Sequence, residues 1–192
     1  MPTANDSLWR LLSLLLLLVL VSPALSAQEL EEPEKSRPEG IPRTSVAVAP
    51  VISSYQNDFG FGAEFLSPNF AGGALAVSAA GKMHYLATAD WEPFFTGELS
   101  LLSGLFAPAP THRLYGKAGL VAVFPTNDIS EDDLILGALG AFGFEFFFNE
   151  DLQGSYFVEL GGVGIGAEAD RLPGSPVYAN GFMTNVGVRY YF

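Results

Sequence analysis

Apolar and polar residues alternate along most of the chain after residue 43. In residues 134–148, one parity contains only Leu, Ala, Gly and Phe, whereas the other contains the only charge of the stretch, Glu145. This period of two predicts β-strands with two different faces, and clusters of turn-forming residues separate them. The sequence predicts eight strands, at 44–54, 58–67, 72–87, 96–106, 112–124, 134–148, 154–167 and 179–192. Gly81 and Lys82 could divide the third of these, which would make the count nine.

Six of the predicted strands carry one ionisable residue on the face opposite their apolar side chains. They are Glu64, Glu98, Lys117, Glu145, Glu159 and Arg189. A Lys or Arg that faces lipid at the bilayer midplane costs about 2–4 kcal/mol. The shared parity therefore predicts a transmembrane antiparallel up-and-down β-barrel with these residues in its narrow lumen. They could form a structural network of paired charges, or, since acids outnumber bases, a lumen that binds or conducts protons or other cations.

The last eight residues, Asn185 to Phe192, continue the alternation to the end of the chain. Asn185, Gly187, Tyr190 and Phe192 resemble the C-terminal signature of bacterial outer-membrane β-barrel proteins. The resemblance covers residues 44–192 and is to the small, eight-stranded class that includes the OmpA transmembrane domain. It implies a Gram-negative outer-membrane location, contact with outer-membrane lipid and lipopolysaccharide, and assembly by periplasmic chaperones and the β-barrel assembly machinery. It implies no particular activity.

The N-terminal region predicts export of the chain. Leu11 to Val21 is a Leu/Val run followed by small residues, which is typical of a cleaved signal peptide over residues 1–27, with cleavage after Ser26 or Ala27. The run is shorter than the roughly 20 residues that a spanning helix needs. Residues 28–43 are acidic and contain three prolines, which predicts an extended periplasmic linker. The remaining residues, 44–192, form the predicted barrel.

Composition excludes several classes of protein. The chain has 21 acidic and 9 basic residues, a net charge of −12, which argues against nucleic acid as a partner. The absence of cysteine excludes a disulfide scaffold and a lipid-anchored lipoprotein. A wide porin pore requires about 16 strands. The composition is therefore compatible with a monomeric small barrel that has a structural or surface-interaction role.

The sequence predicts no catalytic residue, cofactor or metal site. His84 and His112 raise the alternative of an outer-membrane enzyme that modifies lipid A. Neither belongs to the His-x-Ser pattern of lipid A deacylases, because the second residue after each histidine is Leu. The acidic stretch 128–133 lacks the EF-hand spacing, and the glycines of 161–166 are not followed by a predicted helix. A soluble periplasmic, lipocalin-like barrel is a further alternative, and it would place the Phe and Leu stripes inside and the charges outside.

Overall fold

The computed structural model describes residues 45–56, 58–109, 111–148 and 153–192. The predicted signal peptide and linker lie outside the described residues. No helix within these ranges is long and apolar enough to cross a membrane.

Antiparallel strands make up most of the described structure. Eight of them close into a barrel in which each strand pairs with its sequence neighbours, and the first strand pairs with the last. Two short strands, β8 (Ala167–Glu168) and β9 (Val177–Tyr178), form a separate hairpin between β7 and β10. The barrel strands are β1 (Ala47–Tyr55), β2 (Asp58–Leu66), β3 (Leu75–Leu86), β4 (Glu92–Ala109), β5 (His112–Phe124), β6 (Ile135–Phe147), β7 (Gly154–Gly164) and β10 (Gly181–Tyr191).

The structure confirms the predicted eight-stranded barrel and changes some strand limits. β3 passes through Gly81 and Lys82 without a break, so the alternative count of nine is wrong. It begins at Leu75 rather than at residue 72, because Ala71, Gly72 and Gly73 adopt the positive φ values of a turn. β4 begins four residues before its predicted start at 96, since Pro93 is tolerated at the beginning of a strand.

Both described chain ends lie at one end of the barrel, here called the terminus end. The connections there are 67–74, 110–111 and 148–153, whereas 56–57, 87–91, 125–134 and 165–180 lie at the opposite, loop end. The two longest connections are at the loop end, as predicted. The connection after β2 is longer than the expected turn at 68–71, because residues 72–74 leave the strand.

The outer face of the barrel is apolar and exposed. Phe142 and Leu120 are 74% and 67% exposed, whereas Glu145 and Glu159 on the opposite parity are 0% exposed. This orientation contradicts the soluble, lipocalin-like alternative, which requires the apolar stripes to face inward. Aromatic side chains are concentrated near both ends of the outer face. Those at the terminus end are Phe146, Phe148, Tyr156, Tyr190 and Phe192, and those at the loop end are Phe59, Tyr85, Trp91, Phe95, Phe124 and Phe182.

Apolar side chains fill the lumen at both ends, with the charged residues between them. The lower cluster, at the terminus end, is formed by Ala47, Leu66, Ala76, Leu102, Tyr115, Phe147 and Tyr191. The upper cluster, at the loop end, includes Tyr55, Phe94, Val121, Val123, Leu139 and Met183. The charged middle of the lumen is therefore separated from solvent at each end by packed side chains.

Residues 125–134 and 165–180 form a cap over the loop end. Ile129 of the first segment and Ala169 of the second are fully buried in the upper cluster. The two segments are joined by hydrogen bonds from Arg171 N to Ile129 O (3.2 Å) and from Glu131 N to Asp170 Oδ1 (3.1 Å). Ala179 N donates to Asp58 Oδ2 (3.0 Å) and so fixes the second segment to β2. The cap is thus a packed part of the barrel.

Candidate functional site

The charged layer in the middle of the lumen is the candidate site. All six ionisable residues that the sequence places inside the barrel point into the lumen, and each is at most 5% exposed: Glu64, Glu98, Lys117, Glu145, Glu159 and Arg189. They come from six different strands. They meet because the inward parity and the closure of the barrel direct each of them to the same axis.

Arg189 is the centre of this layer. Its Nη2 lies 2.7 Å from Glu64 Oε1 and 3.4 Å from Glu159 Oε1, and its Nη1 lies 3.1 Å from Glu145 Oε2. The guanidinium also packs on the ring of Phe157, 3.9 Å from the centroid. A planar guanidinium has enough directed donors to hold several carboxylates at once. Arg189 therefore joins three strands that are distant in sequence.

Lys117 provides a second cationic centre. Its Nζ lies 2.7 Å from Glu64 Oε2, 3.0 Å from Glu159 Oε2 and 4.0 Å from Glu98 Oε2. Glu64 and Glu159 thus each contact both Lys117 and Arg189. The paired carboxylates compensate the cost of burying the two cations.

The charged layer also contains two cations, Lys82 and Arg113, that were not predicted from the sequence. Lys82 Nζ is 2.6 Å from Glu98 Oε1. Arg113 pairs with Glu145, and its Nη2 donates to Tyr191 Oη at 2.5 Å. The layer therefore contains four carboxylates and four cations. The acid excess that favoured a cation-conducting lumen is absent from it.

Neutral side chains donate further hydrogen bonds to all four carboxylates, and among the eight carboxylate oxygens only Glu98 Oε2 lacks a hydrogen-bond partner within the described residues. The donors are Tyr55 to Glu98 (2.5 Å), Tyr115 to Glu159 (2.9 Å), Tyr191 to Glu145 (2.6 Å), Ser155 to Glu145 (2.6 Å), Ser78 to Glu64 (2.9 Å) and Asn185 to Glu159 (2.9 Å). The ring of Tyr115 lies directly over Gly143, where a Cβ atom would collide with it. A buried charge is tolerated when its remaining lone pairs are filled in this way.

The residues of the C-terminal signature divide between the two faces of β10. Asn185 and Gly187 point inward, and a Cβ atom on Gly187 would lie 2.6 Å from the ring of Phe157. Tyr190 and Phe192 point outward, 51% and 70% exposed, with ring centroids 4.9 Å apart. Asn185 therefore has an interior contact in addition to any part in assembly.

The two histidines lie at opposite ends of the barrel. His84 is buried between the rings of Tyr55 and Phe94, at centroid distances of 4.4 and 5.2 Å. His112 is exposed at the terminus end, with its ring 5.1 Å from that of Phe146. Within the described ranges, no three His, Asp or Glu side chains are grouped so as to hold a metal ion. This includes the acidic segment 128–133.

Comparison with known proteins identifies the fold. No protein-family model matches the chain, and no curated protein matches it. Among solved structures, it is similar to the N-terminal β-barrel domain of Pseudomonas aeruginosa OprF, with 15% identity and a TM-score of 0.58 over 78% of this chain and 98% of that one. It is also similar to the outer membrane protein OprG from Pseudomonas aeruginosa, with 13% identity and a TM-score of 0.55 over 80% of this chain and 98% of that one. The fold is that of the small outer-membrane β-barrels.

Proposed function

We propose that the protein is an integral outer-membrane barrel with a plugged lumen, and that it has a structural or surface-interaction role. The observation that carries this proposal is the combination of an exposed apolar outer face with an interior occupied by paired charges and two apolar clusters. The proposed role needs no cofactor and no catalytic group.

The outer face has the properties that a lipid environment requires. Its exposed apolar side chains lie between two aromatic zones, as in transmembrane barrels, where aromatic residues mark both interfaces. Exposed apolar patches on soluble monomers rarely exceed a few hundred Å², whereas here apolar side chains such as Leu99, Leu120, Phe142 and Val186 are exposed on strands around the barrel. Within the eight described barrel strands, closure also pairs each strand on both sides.

The interior supports a plug rather than a diffusion path. The balanced charges are joined directly to one another, and the lower and upper clusters cover them at the two ends. A solute that entered would have to break ion pairs that compensate buried charge. We therefore propose the cap, which is the folded surface at the loop end, as the part that contacts molecules outside the cell.

Membrane integration can be tested by fractionation and gel mobility. We expect the mature protein to stay with the outer membrane after carbonate washing, and to migrate faster before boiling than after, because a closed barrel resists detergent. A soluble periplasmic protein of known location provides the fractionation control. Recovery of the folded protein in buffer without detergent would contradict the proposal.

The plugged lumen predicts an absence of ion conduction. Purified protein reconstituted in planar bilayers should give no stepwise conductance at neutral pH, since the charged layer is paired and covered at both ends. A porin reconstituted in parallel shows that insertion can be detected, and gel mobility shows that the sample is folded. A reproducible unit conductance would favour the alternative of a cation- or proton-conducting barrel.

The C-terminal signature predicts an assembly defect. Phe192→Ala should leave secretion unchanged and reduce the amount of folded protein in the outer membrane several-fold, because the outward aromatic ring at the end of the closing strand is removed. Val188→Ala, also on the outer face of β10, is the matched control for loss of apolar area. Outer-membrane levels of Phe192→Ala equal to those of the control would show that Phe192 is not part of an assembly signal.

A further inference from the structure

The loop end of the lumen contains a second polar region, which adjoins the paired charges through the hydrogen bond from Tyr55 to Glu98. We call it the upper lumen, and it is formed by Tyr55, Asp58, His84, Phe94 and Tyr178 beneath the cap. Each of these side chains is at most 3% exposed. Three of them carry polar atoms that lack a hydrogen-bond partner among the described residues: Asp58 Oδ1, both ring nitrogens of His84, and Tyr178 Oη.

Asp58 is the uncompensated acid of the lumen. Its Oδ2 accepts a hydrogen bond from Ala179 N, but no Lys or Arg within the described ranges lies within ion-pair distance of it. Every carboxylate of the central layer, by contrast, contacts at least one cation. A buried carboxylate without a counter-charge is strongly disfavoured. A positive charge beside Oδ1 would lower the cost of the ionised form of Asp58, and no Lys or Arg among the described residues provides one.

The unpartnered atoms are close together in the fold. Asp58 and His84 are diagonal neighbours on β2 and β3, since Asp58 pairs with Leu86 and Gly60 pairs with His84. Tyr178 immediately precedes Ala179, which contacts Asp58, and its ring meets Phe94 at a centroid distance of 5.1 Å. Buried polar groups in native proteins almost always have a partner, including water. Several unpartnered groups around one carboxylate indicate a place for a hydrogen-bonding ligand.

The chemistry of the upper lumen suits a cation that carries N–H groups. Asp58 Oδ1 and Tyr178 Oη can accept hydrogen bonds, and burial with nearby acids raises the pKa of Tyr178 to about 12, so that its hydroxyl remains neutral. Tyr55 stacks on His84 and His84 stacks on Phe94, and Phe94 meets the ring of Tyr178 edge to face. Phenol and phenyl faces attract cations.

The surface around the cap also favours cations, because its charged residues are almost all acidic. Of the described charged residues in the loop-end connections and at the adjoining start of β4, only Arg171 is basic. The acidic ones are Asp90, Glu92, Asp128, Glu131, Asp132, Asp133, Glu168 and Asp170. A surface with one sign of charge raises the local concentration of ions of opposite sign. Cations are therefore drawn to the cap that covers Asp58.

We propose that the upper lumen is a binding site for a small organic cation with N–H donors, which enters when the second cap segment moves away from Asp58. The positive charge compensates Asp58, and the N–H groups donate to Asp58 Oδ1 and Tyr178 Oη. Ala179 and Gly181, with φ of 49° and 97°, flank the point at which this segment joins β10 and provide its hinge. The inference does not depend on the proposed structural role, because a plugged barrel can carry a site at one end.

Trypsin provides a direct assay of cap opening in the full, folded chain. Arg171 is exposed, whereas the other described basic residues, Lys82, Arg113, Lys117 and Arg189, are buried in the barrel. Cleavage after Arg171 gives fragments of a different mass from cleavage in the N-terminal segment 1–44, so mass spectrometry separates the two. We expect putrescine, used as the probe, to slow cleavage after Arg171 at least fivefold and in a saturable manner. Sodium chloride of matched ionic strength should have no such effect, and a small peptide substrate corrects for any inhibition of trypsin itself.

Two substitutions with the same charge change distinguish the site from the acidic surface. Asp58→Asn keeps the acceptor for Ala179 N and should weaken putrescine protection at least tenfold, whereas Asp90→Asn on the β3–β4 turn should leave it unchanged. If Asp58→Asn fails to fold, Tyr178→Phe, which keeps the ring contact with Phe94, should weaken protection several-fold by removing the second acceptor. Equal protection of the wild type by sodium chloride, or unchanged protection of Asp58→Asn, would overturn the proposal. Tetramethylammonium protecting as well as putrescine would overturn the requirement for N–H donors, and gel mobility reports separately on the barrel.

Discussion

Arg189→Ala is expected to destabilise the folded barrel by about 3–5 kcal/mol, the usual cost of removing one partner from a buried ion pair. Arg189 contacts Glu64, Glu145 and Glu159 and covers the ring of Phe157. Its loss leaves one cation fewer than the carboxylates in the layer and opens a space beside Phe157. The measurement is urea unfolding of the purified protein in lipid vesicles, followed by gel mobility and by the fluorescence of Trp91, the only tryptophan after the predicted signal peptide.

Two further variants make this result specific to the charge network. Arg189→Lys keeps the positive charge but cannot contact three carboxylates with a planar group, so it should lose less stability than the alanine variant. Val188→Leu changes the preceding residue of β10 on the outer face without changing charge, and should remain within about 0.5 kcal/mol of the wild type, as surface substitutions usually do. An Arg189→Ala barrel as stable as the Val188→Leu barrel would show that the network contributes little to folding.

The barrel and the direction of its side chains could be predicted from the sequence because both depend on local patterns. The alternation in β6 distinguishes Phe142 from Glu145, and the turn residues limit each strand. The parity of β5 also pointed Arg113 inward together with Lys117, but Arg113 lies beside the predicted strand start and was not assigned to the lumen. Lys82 was missed because the pattern around Gly81 does not fix which face is apolar.

The partners of the charged residues could not be predicted from parity. Arg189 meets Glu64, which is 125 positions earlier in the chain, only because β10 pairs with β1 and closes the barrel. The cap was missed for a related reason. Ile129 and Ala169 belong to segments that look like solvated acidic loops, and their burial results from contacts between distant connections. Periodicity indicates which face a residue is on, whereas these contacts depend on the strand order and stagger of the closed barrel.

The charged layer and the upper lumen differ in whether their carboxylates are paired with cations. Each carboxylate of the central layer contacts a cation and accepts at least one hydrogen bond from a neutral side chain, which suits a structural plug. Asp58 accepts one hydrogen bond, from Ala179 N of the second cap segment, and has no cation within ion-pair distance among the described residues. Sequence alone did not separate these cases, since Asp58 appears as a turn residue. The proposed binding site is therefore placed in the upper lumen rather than in the charged layer.

Phe142→Arg is the substitution that tests most directly whether the outer face contacts lipid. Phe142 is 74% exposed near the middle of β6, and a cation at the bilayer midplane costs about 2–4 kcal/mol. On a water-exposed surface the same change would usually alter stability by less than about 0.5 kcal/mol. Urea unfolding in lipid vesicles should therefore show a large loss of stability.

Leu134→Arg is the matched control, because Leu134 immediately precedes β6 at the loop end and is 50% exposed. The cost of an outward cation falls to about 0–1 kcal/mol near the membrane interface, so this variant should unfold close to the wild type. The difference in unfolding free energy between the two variants reports how deep each position lies in the membrane, since both variants exchange an exposed apolar side chain for the same charge. Equal stability of Phe142→Arg and Leu134→Arg would mean that the middle of the barrel does not face lipid, and the outer-membrane proposal would then fail despite the fold.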